Sequence, residues 1–224
     1  MSDTSRVLFP VDGNTAVAAL RDVYAGRGQL ACLIVSKRDV ENRFDAESAQ
    51  RLIRDGAAHL IGNPANAEVQ LIALGAYQLD EAIKAQQHLA ELGKCACVTV
   101  VLEPGRLRIP RDAIEAEFVD DDVTVSTLFP SGLPRVIVTH TRPEPMLGIL
   151  RRIDSGPAKT RALGYISRGG TFDVPGMLFA NRCTWAHVVD AAATVAGWSR
   201  EVLLDRAQRT AIDGIGDPSD LLMR

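Results

Sequence analysis

Three short, nearly unbroken apolar runs at 69–74, 97–102 and 135–139 constrain this chain more than any other feature. Each is strand-length and lacks in-out alternation, the pattern of a strand buried on both faces of a parallel sheet. A helical pattern at 78–92 separates the first two, with Leu79, Ile83, Leu89 and Leu92 spaced to face inward. Shorter helical patterns at 111–118 and 124–128 precede the third run. Run 30–35 reads as a further strand buried on both faces, 59–61 as a short one, and 161–166 as an antiparallel strand at an edge. Strand-helix alternation of this kind predicts an α/β fold, a mostly parallel sheet of about five strands with helices on both faces.

The remaining segments fit that frame. Asp12 predicts a helix N-cap, with Val17, Leu20, Val23 and Tyr24 following at helical spacing and Gly26 and Gly28 ending the helix. Asp45 caps a helix at 46–54, and residues 145–153 form another. Helices at 175–180, 184–196 and 200–212 close the chain. Residues 1–10 read as a mobile arm. Asn63-Pro64-Ala65-Asn66 marks a junction, dividing the chain into 1–66 and 67–224.

At 224 residues and 46% hydrophobic, the chain has material for one large domain or two small ones. A net charge of -3 offers no basic excess for nucleic acid or an anionic membrane surface. No apolar run is long enough to span a bilayer. The first residues carry no cationic segment leading into an apolar core, so a cytoplasmic protein with reduced cysteines is expected. Cys32 lies in an apolar run and is expected to act as a small hydrophobe. Cys95 and Cys97 are separated by one residue, the wrong spacing for a redox or zinc pair, and no metal site is expected.

Open α/β sheets bind ligands outside the carboxyl ends of their strands. Those ends carry Lys37, Gly75-Ala76-Tyr77, Glu103 and His140-Thr141-Arg142. They place a cation and an imidazole on one rim, although polar residues also occur wherever strands reach solvent. His140 has the chemistry for acid-base work or phosphate binding; a structural histidine bonding a nearby carbonyl is the plainer reading. No Gly-x-Ser-x-Gly, phosphate loop or Gly-x-Gly-x-x-Gly is present. Gly169-Gly170-Thr171 reads as a tight turn needing positive φ rather than an anion cradle. His187 falls within a helix pattern as a partly buried packing residue. Asp120-Asp121-Asp122 reads as a solvated loop.

The stretch 163–187, LGYISRGGTFDVPGMLFANRCTWAH, does not read as a βα unit. It is expected to dock the last helices onto the sheet. Its Gly164, Tyr165, Gly169, Thr171, Met177, Asn181 and His187 match, in order and spacing, the C-terminal region of phosphoketolases, members of the transketolase-like superfamily of thiamine-diphosphate enzymes. Leu8-Phe9-Pro10-Val11-Asp12-Gly13-Asn14-Thr15 resembles that family's Pro-x-Asp-Ala-Asn-Thr segment at the end of its pyrimidine-binding domain. Val35-Ser36-Lys37 resembles an Ala-Gly-Lys step whose lysine helps hold the sugar phosphate. His140-Thr141-Arg142-Pro143 is similar to a His-Gly-Tyr-Pro step.

The resemblance implies a transketolase C-terminal-domain-like fold at 67–224, with 1–66 as the remnant of a pyrimidine-binding domain and its linker. It implies substrate contacts for Lys37, His140 and Arg142. Interface or structural roles fall to Asp12, Asn14, Gly164, Tyr165, Gly169, Thr171, Asn181 and His187. The family's diphosphate-binding domain, magnesium site and His-Pro-His-Gly loop have no counterpart here. The chain is therefore expected to bind no thiamine diphosphate or magnesium alone, and to have no activity alone. It would act beside a separate polypeptide carrying the cofactor-binding domains, or as a homo-oligomer, on ketose phosphates. A non-catalytic binding or regulatory module derived from the same domain is the alternative.

Overall fold

The computed structural model describes residues 5–166 and 169–221. In chain order the elements are β1 (Ser5–Leu8), α1 (Gly13–Ala25), β2 (Leu30–Leu33), α2 (Ala46–Asp55), β3 (Ala57–Ile61), β4 (Val69–Leu74) and α3 (Ala76–Glu91). There follow β5 (Ala96–Val101), α4 (Ala113–Ala116), α5 (Asp122–Leu128), β6 (Arg135–Thr139), α6 (Pro143–Ile149) and β7 (Thr160–Leu163). The chain closes through α7 (Val174–Ala180), α8 (Trp185–Ala196), α9 (Arg200–Leu203) and α10 (Arg206–Ile212). β1 and β2 form a small parallel sheet; the main sheet has the order β3-β5-β4-β6-β7.

All of β4, β5 and β6 is buried, as their unbroken apolar character requires. Alternate residues supply two cores on opposite faces. Leu71, Ala73, Val136 and Val138 join the core built with α2, α3 and α8. Ile72, Leu74 and Ile137 join a second, smaller core that includes Val125 of α5 and Met146 of α6. Arg135 is buried at the start of β6, where its guanidinium donates to Gln70 Oε1, Ser155 Oγ and the carbonyls of Pro130 and Ile153. One cation thereby ties two loops to the sheet.

Several expectations are corrected. Residues 5–10 are no arm: β1 pairs with β2 in parallel, and Leu8 and Phe9 are fully buried. Too few residues precede Asp12 to show a period, and their partner strand lies more than twenty positions later. β7 is parallel to β6, because α6 carries the chain back across the sheet before the strand begins. The antiparallel edge is β3, which pairs with β5 after a left-handed turn at Gly56 (φ 68°). The pattern at 200–212 breaks into α9 and α10 because Asp205 starts a new helix, its side chain and that of Gln208 capping each other's backbone.

Two further differences concern exposed apolar residues. β2 is not covered on both faces: Leu30 is 78% exposed and Cys32 is also exposed. In α1 the buried residues are Thr15, Ala18 and Ala19, while Val17, Leu20 and Tyr24 face outward. Leu92, expected inward, lies beyond the end of α3 and is exposed.

Candidate functional site at the strand ends

β4 is followed by Gly75, whose φ of 110° suits glycine alone. An added Cβ would lie 3.2 Å from His140 Cβ and 2.6 Å from Gln78 Oε1. His140 follows β6 and donates its N–H to Leu74 O at 3.0 Å, which fixes it beside Gly75. The segment after β2 closes the third side, so Val35, Ser36, Gly75, Tyr77 and His140 line one cleft. Of the strand ends named from sequence, those at Gly75 and His140 meet here. The cleft has a volume of about 10 Å³, the size of one water site and too small for a sugar phosphate.

The predicted substrate residues divide around this cleft. His140 lines it; its ring makes no side-chain hydrogen bond among the described residues, so the expected carbonyl bond is not made. Desolvation pushes its imidazole below the usual range, favouring the neutral ring near pH 7. Lys37 and Arg142 are exposed on the flanking loops and do not line the cleft.

Glu103, two residues beyond β5, does not line this cleft. It is buried and takes a two-pronged contact from Arg6, Nε to Oε1 at 2.9 Å and Nη2 to Oε2 at 2.8 Å. Arg6 also pairs with Asp22 of α1 at 2.7 Å. Hydrogen bonding to Glu103, ahead of that to Asp22, raises the Arg6 guanidinium above its already high range. This clamp borders a cleft of about 290 Å³ to which Arg54, Arg106 and Arg108 contribute. Sequence reading missed Arg6, because reading residues 1–10 as an arm concealed the two-residue spacing that sets Arg6 and Leu8 on one face of β1.

Asp12 and Asn14 are structural in this chain. Asp12 Oδ1 caps α1 through Thr15 N at 2.7 Å, while Oδ2 accepts from Arg43 N and Phe44 N at 2.8 and 2.9 Å. Asn14 Nδ2 donates to Phe44 O at 2.7 Å. Together they pin the segment entering α2 to the start of α1.

The stretch 163–187 docks the last helices, with residues 167 and 168 outside the described part. Gly164 passes so close to the loop after β6 that a Cβ would lie 2.4 Å from Thr141 O, and Tyr165 N donates to that same oxygen at 3.0 Å. Asn181 Oδ1 accepts from Ile166 N at 2.7 Å while Nδ2 donates to Met177 O at 2.8 Å, stapling the strand exit to α7. Gly169 and Gly170 have φ of 75° and 89°, the positive values expected of the turn. Tyr165, Gly169, Thr171, Met177 and Asn181 line an open groove of about 310 Å³.

His187 is buried more fully than expected, with Nδ1 2.8 Å from Thr184 Oγ1 and its ring edge-on to Phe179. Desolvation, aided by Arg182 and Arg200, lowers its pKa to about 4. The unfolded chain then binds more protons than the folded one between about pH 4 and 6.5, so stability falls as pH drops through that window. Roughly 3 kcal/mol is expected to be lost across it from this group. Urea titrations at pH 7 and pH 4.5 should show a smaller pH-dependent loss in His187→Gln than in the wild type; an equal loss would place the proton uptake elsewhere.

No protein-family model matches the chain, and no curated protein matches it in sequence. Solved structures do match in shape. A transketolase from Leishmania mexicana superposes with a TM-score of 0.66 at 16% identity, over 87% of this chain and 25% of that one. A Pichia stipitis transketolase solved with sedoheptulose-7-phosphate gives 0.65 at 17% identity, over the same shares. The fold is transketolase-like. A split-gene transketolase described as an inactive beta4 tetramer also matches, with a TM-score of 0.64 at 16% identity, over 88% of this chain and 59% of that one. The chain spans about a quarter of the length of the full transketolases that share this fold. Among the described residues, no three His, Cys, Asp or Glu side chains converge as a metal-holding group. No described helix is long and apolar enough to cross a membrane.

Proposed function

We propose that this chain is the C-terminal or accessory subunit of a split enzyme of the phosphoketolase or transketolase kind, acting on ketose phosphates beside a separate polypeptide. The observation that carries this reading is the match to a split-gene transketolase subunit over 88% of the chain. The strand-end cleft supports the same division of labour. Its three walls are in place around His140, and at about 10 Å³ it needs a facing surface before it encloses a substrate.

In this reading the companion polypeptide holds thiamine diphosphate and magnesium. The cofactor supplies the stabilised carbanion needed to cleave or transfer a two-carbon unit. This chain supplies the rim. Lys37, exposed next to the cleft, reaches the substrate phosphate across the interface as a point charge, and Arg142 approaches from the opposite loop. Neutral His140 is placed to hydrogen-bond a substrate hydroxyl.

The test is co-expression with the polypeptide of the same genome that carries the thiamine-diphosphate-binding domains. Ketose-phosphate turnover is expected from the mixture and from neither chain alone. Lys37→Ala in the mixture should lower kcat/KM by roughly ten- to a hundredfold, the scale of one charge-assisted contact. Turnover by this chain alone, or no association at micromolar concentration, would overturn the reading.

A further inference from the structure

We propose that the free edge of β2, with the bare apolar surface beside it, is where a second, different polypeptide adds a strand and its covering helices. The inference rests on the two-chain reading above and names the surface through which the chains meet. Parallel sheets almost always have both faces covered. Here β1 and β2 run in parallel, and α1 packs against one face. Arg6, Leu8, Ala31 and Leu33 point to that face: Arg6 reaches Asp22 of α1, and the other three join its core. On the opposite face Val7 of β1 packs against the second core, while on β2 Leu30, 78% exposed, and Cys32 are left exposed.

Two observations extend this surface. Ile34 N donates to Leu8 O, so by the alternation of a strand the N–H groups of Ala31 and Leu33 point away from β1. Among the described residues β2 has β1 as its single strand neighbour, leaving that edge without a paired strand. On α1, Val17, Leu20 and Tyr24 recur at i, i+3 and i+7 and form an apolar stripe, with Tyr24 84% exposed. A strand beside β2, flanked by helices over the α1 stripe and over Leu30 and Cys32, would satisfy all three features. A short linear peptide would satisfy the edge alone.

Charge separates a different polypeptide from a second copy. From Val23 to Asp39 the charged residues are Arg27, Lys37, Arg38 and Asp39. Pairing β2 with itself about a two-fold axis makes the new pair antiparallel, which sets Arg27 of each copy towards Lys37 and Arg38 of the other. A partner with Asp and Glu at the rim of an apolar strand meets the same cations favourably.

The experiment uses the full chain, co-expressed with the polypeptide that carries the thiamine-diphosphate-binding domains. Leu30→Asp changes an exposed side chain, and Ala31→Pro removes an outward N–H, so melting curves of each variant alone will report whether it stays folded. Both are expected to weaken the complex at least tenfold in Kd, while Ile215→Asp, at an exposed apolar site outside this surface, leaves it unchanged. If wild type pairs and both folded β2 variants pair equally well, the docking surface is refuted and the two-chain reading stands. If wild type does not pair, both fall. Dimerisation of this chain alone that is abolished by Leu30→Asp would assign the surface to a second copy and overturn the proposal.

Discussion

Glu103→Ala is expected to lower the unfolding free energy by roughly 3–5 kcal/mol, the cost of leaving a buried charge without its main partner. The Arg6 and Glu103 side chains are only 16% and 8% exposed, and their two-pronged contact ties β1 to the end of β5. Asp22, the other partner of Arg6, is 37% exposed and lies in better-solvated surroundings. Its remaining contact therefore offsets little of the loss. At about 2–4 °C per kcal/mol for a chain of this size, the melting temperature should fall by around 10 °C. Arg6→Met combined with Glu103→Leu should recover most of that loss, because a matched apolar pair removes both desolvation penalties. A single variant within 1 kcal/mol of wild type in urea titration would show that the clamp is not a principal support.

Trp185→Ala is expected to destabilise by about 3–5 kcal/mol, with the effect centred on the last helices. Trp185 is 1% exposed at the first position of α8 and lies among the largest fully buried side chains. Its ring centroid is 4.9 Å from that of His88 on α3, and His88 Nε2 in turn contacts Leu203 O at 2.7 Å. The backbone N–H of Trp185 donates to buried Glu81 at 2.6 Å, a bond that survives truncation. The loss is therefore one of packing between α3 and α8. Hydrogen exchange should show amides of α8 to α10 gaining exchange before those of β4 to β6. Uniform acceleration across the sheet would mean that the helices and sheet unfold as a single unit.

The central sheet was legible because β4, β5 and β6 are buried on both faces, and such strands advertise themselves as unbroken apolar runs. The helix caps at Asp12 and Asp45 were equally plain, since the side chain that ends the backbone's unmet N–H series must be of a few types. The strand-end rule brought Gly75 and His140 to one cleft, but placed Lys37 there where Ser36 lines it. It failed for Glu103, because the direction of a side chain at a strand end depends on Arg6, almost a hundred residues away in sequence. In 163–187 the unusual residues proved to be explained by close approach and stapling: Gly164 by the nearness of Thr141 O, Asn181 by its two backbone bonds. The period of α1 and the apolar run of β2 predicted burial on faces that stand bare. A hydrophobic pattern records what a surface is built to meet, not whether the occupant belongs to the same chain.

One peptide unit near the start of the chain carries a mechanical consequence. The carbonyl of Leu8 accepts from Ile34 N, and the N–H of the same Leu8–Phe9 unit donates to Leu102 O at 2.7 Å. The small sheet and the segment just after β5 are thus pinned through opposite ends of a single rigid plate. Force applied along β2 cannot swivel that sheet freely. It must tilt the plate, and with it the segment just after β5, so pulling on one sheet registers at the other through this unit.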